Sequence, residues 1–119
     1  MNWKFAGDRP VYQQIMAAIR GAILKGELPP GGKVPSVRDL AAQAQVNPNT
    51  MQRALAELEA RGLLETQRTA GRTVTGDVEK IAQTRRALAQ TLVHHFYHQA
   101  AALGLTKAEI AALLEQEEA

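Results

Sequence analysis

The apolar positions of the chain fall into short series, and the spacing within each series predicts an element. After Pro10, residues Ile15, Met16, Ile19, Ala22 and Ile23 recur at intervals of three and four. That is one face of a helix, begun by the proline in its first turn and closed by Gly26. Leu28-Pro29-Pro30-Gly31-Gly32 follows as a rigid connector without helix. Ser36-Val37-Arg38-Asp39 opens a second helix with an S-x-x-D cap; its stripe is Val37, Leu40, Ala41 and Ala44, and it ends near Gln45. Asn47-Pro48 opens a third, with Met51, Ala54, Leu55 and Leu58 facing inward and Gly62 stopping it. The short link around Val46 has the spacing of a helix-turn-helix.

The period then changes. Residues 63–67 and 73–75 predict two short strands, with Arg68-Thr69-Ala70-Gly71-Arg72 as the hairpin tip. A hairpin directly after a helix-turn-helix is the wing of a winged helix. From Val78 a long helical pattern returns, in which Ile81, Leu88, Leu92, Phe96 and Leu103 form one apolar seam that Gly104 breaks. Thr106-Lys107-Ala108-Glu109 is a T-x-x-E capping box, and Ile110, Leu113 and Leu114 line a last short helix. The expected fold is mainly α with a small β-hairpin: a winged helix-turn-helix over residues 1–76, then a two-helix C-terminal dimerisation tail over 77–119. The seam has too few partners within one chain to be covered. A second copy of the tail covers it in a twofold dimer, unless the last helix folds back over it.

Composition narrows the function. At 119 residues, with 45% hydrophobic and 22% charged, the chain suits one folded domain with an appendage. No run of about 18 apolar residues is present to span a bilayer. The opening Met1-Asn2-Trp3-Lys4-Phe5 lacks the apolar core of a signal peptide, so a cytoplasmic location and no membrane partner are expected. Cysteine is absent, which excludes disulfides, thiolate metal sites and thiol nucleophiles. Residues 1–76 carry ten Lys/Arg and six Asp/Glu, a balance of +4, whereas residues 77–119 carry four and six, a balance of −2. A basic front suits a polyanion.

The third helix offers the chemistry for reading DNA. Its outward face takes Asn49, Gln52, Arg53 and Ala56. Asn and Gln pair bidentately with adenine, and Arg with guanine, so the first three suit base edges. Arg53 has two other partners open to it, a phosphate or a neighbouring Glu. Asn47 and Thr50 are short and near the helix N-terminus, and suit phosphate. Ser36 caps the second helix, whose first turn can also hold a phosphate. Arg38 leaves the core beside the third helix, placed either to reach DNA or to pair with Asp39 or Glu27. Arg68 and Arg72 flank the hairpin tip, where a narrow minor groove attracts arginine, and Gly71 permits close backbone approach. Lys33 precedes the second helix, within reach of phosphate.

These residues carry a resemblance. Pro10-Val11-Tyr12-Gln13-Gln14-Ile15, Ile19-Arg20, Gly26-Glu27-Leu28, and Lys33 through Ala41 match in order, followed by Val46 through Leu55 and Leu58 through Leu64. With spacing intact over about residues 10–75, the chain resembles the DNA-binding domain of the GntR family of bacterial transcription regulators. The resemblance implies that Arg38 reaches DNA. The family's wing usually reads Gly-x-Gly-Thr-Phe-Val, but here it is Thr69-Ala70-Gly71-Arg72-Thr73-Val74. Only 43 residues follow Gly76, which resembles the small YtrA-like branch, whose tail dimerises and holds no obvious effector pocket.

The reading is a sequence-specific regulator, most simply a repressor, acting as a homodimer on a pseudo-palindromic operator without cofactor or metal. An enzyme needs a nucleophile or metal, and only His94, His95 and His98 are on offer. His94 and His98 share a helix face away from the seam, but no H-E-x-x-H pattern accompanies them. A protein-docking adaptor is the remaining alternative, and a sequence-specific gel shift separates it from a DNA reader.

Overall fold

Caps decide where the helices begin. The computed structural model describes every residue except Asn2 and Ala119. In it α1 runs Val11–Lys25, α2 Val37–Ala44 and α3 Pro48–Ala60. Pro10 stands just outside α1 rather than in its first turn, and Gly26 takes φ 83 at the far end, a left-handed backbone that glycine adopts freely. Ser36 Oγ accepts the Asp39 N–H at 3.1 Å, and Asn47 Oδ1 accepts the Asn49 N–H at 2.7 Å. The turn between α2 and α3 is tight because Gln45 adopts φ 57, uncommon for a residue with a Cβ. Val46 then donates its N–H to Ala41 O at 3.0 Å.

The wing is larger than its two strands. β1 (Leu64–Gln67) pairs antiparallel with β2 (Gly71–Val74), with Leu64 opposite Val74 and Thr66 opposite Arg72. β2 starts two residues before the strand expected from sequence. The tip is therefore residues 68–70, and Arg72 is a strand residue. The connector before α2 adds itself to this sheet. Val34 donates to Arg72 O at 3.0 Å, Val74 to Gly32 O at 2.8 Å, and Lys33 bridges Thr73. Val34, expected in no element, is buried there.

One core holds these pieces together. Ile15, Ile19, Leu40, Met51, Leu55 and Leu58 are fully buried, joined by Leu64 and Val74 from the wing. Each such side chain contributes about 1.5–3 kcal/mol through burial. Trp3 and Phe5 pack against the cluster. The segment behind them is held by buried Gln14, whose Oε1 accepts the Ala6 N–H at 2.7 Å and whose Nε2 donates to Ala6 O at 2.7 Å and Arg9 O at 2.9 Å.

The chain divides into two units, Met1–Ala82 and Gln83–Ala119. The division falls beyond residue 76 because the first turn of α4 (Val78–Ala101) belongs to the front unit. Its Ile81 is buried in the core cluster of that unit. Ile81 is thus not part of an open seam, contrary to the sequence expectation: helical periodicity showed its face but not its neighbours.

The rear unit contains the rest of α4 and α5 (Lys107–Glu115), linked through Gly104 at φ 91. The capping box forms in both directions: Glu109 N–H donates to Thr106 Oγ1 at 3.2 Å, and Thr106 N–H to Glu109 Oε1 at 3.0 Å. The backbone N–H of Thr106, then its hydroxyl, hold the Glu109 carboxyl below the usual glutamate range. Among the described residues of this unit only Ile110 is buried. Leu88 is half-buried, while Leu92, Phe96 and Leu103 are 70%, 46% and 81% exposed. Leu103 lies on the turn beyond α4. α5 leaves these residues uncovered, and its own Leu113 and Leu114 are exposed.

Candidate nucleic-acid interface

The helix-turn-helix presents a polar face whose members differ in how firmly they are held. Asn47, Asn49, Gln52 and Arg53 are exposed along the first two turns of α3, and Thr50 is half-buried between them. Arg38 is exposed in the first turn of α2. Of the two carboxylates offered as its alternative partners, Glu27 is held by Lys25 Nζ at 3.1 Å. Among the described residues Arg38 forms no ion pair, so its guanidinium is available to an external anion.

A cleft of about 290 Å³ separates the start of α2 from the wing. Lys33, Ser36, Gly71 and Arg72 all line it, together with Thr69 and Ala70 at the tip. Residues distant in sequence thus converge, because the strand-like pairing of residues 31–34 lays the connector alongside β2. Arg68 is exposed at the tip, and Gly71 begins β2 at φ 74 with open space where a Cβ would be. A guanidinium beside bare backbone suits close approach to a minor groove.

Arg53 and Arg72 are committed within the fold. The Arg53 guanidinium lies 3.7 Å from the centroid of the Tyr12 ring on α1, a cation–π contact. Arg72 does not project from the tip. Its position opposite Thr66, two residues from inward-facing Val74, puts it on the hairpin face that looks toward α3. Its side chain is only 16% exposed; Nη1 donates to Gln52 Oε1 at 3.4 Å, and Nη2 lies 3.6 Å from Glu59 Oε2. Thr66 donates its hydroxyl to the other oxygen of Glu59. Sequence reasoning missed Tyr12, Glu59 and Thr66. Glu59 left a signal, since it follows Gln52 by seven residues, two helical turns along one face.

In the rear unit His94 and His98 meet through their rings, centroids 4.4 Å apart. His94 lines an open groove of about 580 Å³ with Arg86, Val93, Tyr97 and Lys107. Among the described residues no three His, Asp or Glu side chains gather to hold a metal, and no helix is long and apolar enough to cross a membrane.

Comparison with known proteins places this geometry. The family described as "Bacterial regulatory proteins, gntR family" matches residues 11–74. The HTH-type transcriptional regulator YhcF of Bacillus subtilis is 38% identical, over 92% of this chain and 91% of its own. The HTH-type transcriptional repressor YtrA of the same organism is 35% identical over 74% of this chain and 72% of its own. Among solved structures, a GntR family transcriptional regulator from Listeria monocytogenes superposes with a TM-score of 0.91. It is 37% identical and covers 96% of this chain and 100% of its own.

Proposed function

The chain belongs to the GntR family and is a DNA-binding transcription regulator, not an enzyme; from that premise we propose that it is a cytoplasmic homodimer that represses by occupying a pseudo-palindromic operator. The observation that carries the dimer is the exposure of Leu92, Phe96 and Leu103. A monomer that left these in water would forgo the stabilisation of burying them, and a second copy supplies the matching surface. Repression needs no further surface, because a bound dimer blocks a promoter by occupancy. The similarity to a protein named a repressor supports the same sign.

On each half-site α3 lies in the major groove. Asn49 and Gln52 read base edges there, while Asn47, Thr50, Ser36 and Lys33 hold phosphates. Arg38 spans a phosphate and a guanine edge with its planar fork. Arg53, stacked on Tyr12 at the flank, takes a phosphate. Arg68 enters the minor groove, with Gly71 letting the backbone follow.

Selection of bound DNA from a random library, with the full chain, tests this reading. The expected product is two inverted half-sites about 10 base pairs apart, or a multiple of that, with two chains per site by sedimentation. One chain on a single half-site overturns the dimer, and enrichment of no sequence overturns specific reading. The selected site placed across a promoter lowers its output; a rise makes the protein an activator.

A further inference from the structure

Arg72 stands where the resembling wing motif has threonine, so what it does is particular to this chain. Its guanidinium is held from two sides. Glu59, itself tied to β1 through Thr66, lies against Nη2, and the side-chain oxygen of Gln52 accepts from Nη1. A guanidinium has donors and no acceptor, so it fixes which end of the Gln52 amide faces it. The oxygen turns in toward Arg72, and the two N–H groups are left for a partner.

That orientation changes what Gln52 can read. A glutamine with both ends free pairs with adenine, accepting from N6 and donating to N7. With its oxygen turned inward and one lone pair taken by Arg72, it presents chiefly its two N–H donors to a partner. The major-groove edge of guanine, with acceptors at N7 and O6, then fits better than adenine, whose N6 amino group needs an acceptor.

We propose that Arg72 is a positioning residue that sets the base preference of Gln52, holding its amide as a donor toward guanine rather than itself contacting DNA. This rests on the reading of α3 as the base-reading helix. The wing and the reading helix are then one device: β2 decides how α3 is read.

The test compares full-chain variants by library selection, with melting temperatures alongside. Wild type selects guanine at the base pair that Gln52→Ala identifies. Arg72→Thr shifts that pair toward adenine by roughly tenfold, near the low end of what one bidentate base contact discriminates. Arg72→Lys, which keeps a cationic donor opposite Gln52 and Glu59, retains guanine. In a Gln52→Ala background, Arg72→Thr changes nothing further at that pair. Should Arg72→Thr fail to fold, Arg72→Met carries the same test, since it removes the donors while keeping the length of the side chain; the shift toward adenine is expected there too. Equal weakening of all sequences with a reduced salt slope makes Arg72 a phosphate contact and overturns the proposal. An unchanged base profile with a lowered melting temperature overturns it as well, leaving a purely structural residue. A wild-type chain that selects no sequence instead removes the DNA-reading function on which the proposal stands.

Discussion

The two units of the chain solve the burial of apolar side chains in opposite ways. Met1–Ala82 encloses its own: Ile15, Ile19, Leu40, Met51, Leu55 and Leu58 lose all contact with water. Gln83–Ala119 encloses Ile110 and leaves Leu92, Phe96, Leu103, Leu113 and Leu114 outside. Three mutually packed helices and a sheet can surround a centre, but one long helix and a short one cannot. The front unit therefore closes its own core, and the rear unit leaves most of its apolar side chains to solvent within one chain.

The largest effect expected from this contrast is in the front. Leu55→Ala removes a fully buried side chain and should cost about 2–5 kcal/mol in chemical denaturation. A cost well under 1 kcal/mol would mean that the front core is not the closed unit described. Next comes Leu92→Asp. At 70% exposed in one chain, it should leave the stability of the front unit unchanged, yet weaken self-association by roughly hundredfold, about 3 kcal/mol, because a dimer would bury the charge unpaired. Sedimentation that shows an unaltered dimer would remove Leu92 from the interface.

The smallest effect is at the cap of α5. Thr106→Ala should cost α5 about 1 kcal/mol, and mild acid should loosen the same helix. Glu109 titrates below its ordinary value when folded. Its contribution is therefore present above the ordinary glutamate range and disappears as pH falls through the lowered value. Circular dichroism across that range should show helix lost in wild type before it is lost in Glu109→Gln. Superimposable titrations would mean that the capping carboxylate does nothing for the tail.

What was legible in the sequence was local. Ser36, Asn47 and Thr106 cap helices through bonds spanning two or three residues, so their places follow from short patterns. Exposure of Leu92 and Phe96 followed from counting how many partners a short tail can supply. What stayed hidden depends on pairing across distance. Nothing near Val34 announces that it bridges to the wing, and the early start of β2 is set by its register with β1 rather than by its own residues. Arg72 looked like a hairpin-tip residue for that reason; once paired opposite Thr66 it can only face α3. Ile81 has the period of the seam, but the core of the winged helix claims it. Arg53 likewise has the right helical face, and its attachment to Tyr12 is visible only when α1 lies beside it.

The bridge between Lys33 and Thr73 also bears on the order in which the molecule assembles. α1 packs chiefly on α3, past the whole of α2, so that contact also joins stretches far apart in the chain and is slow to form. The β1–β2 hairpin is local, whereas the docking of residues 31–34 on β2 brings two stretches together across the whole helix-turn-helix and carries a loop-closure entropy of its own. A nascent chain would possess a reading helix before it possesses the strand that aims Gln52. Competence to bind DNA at all and competence to choose among sequences would mature at different times, the second arriving with the last strand to dock.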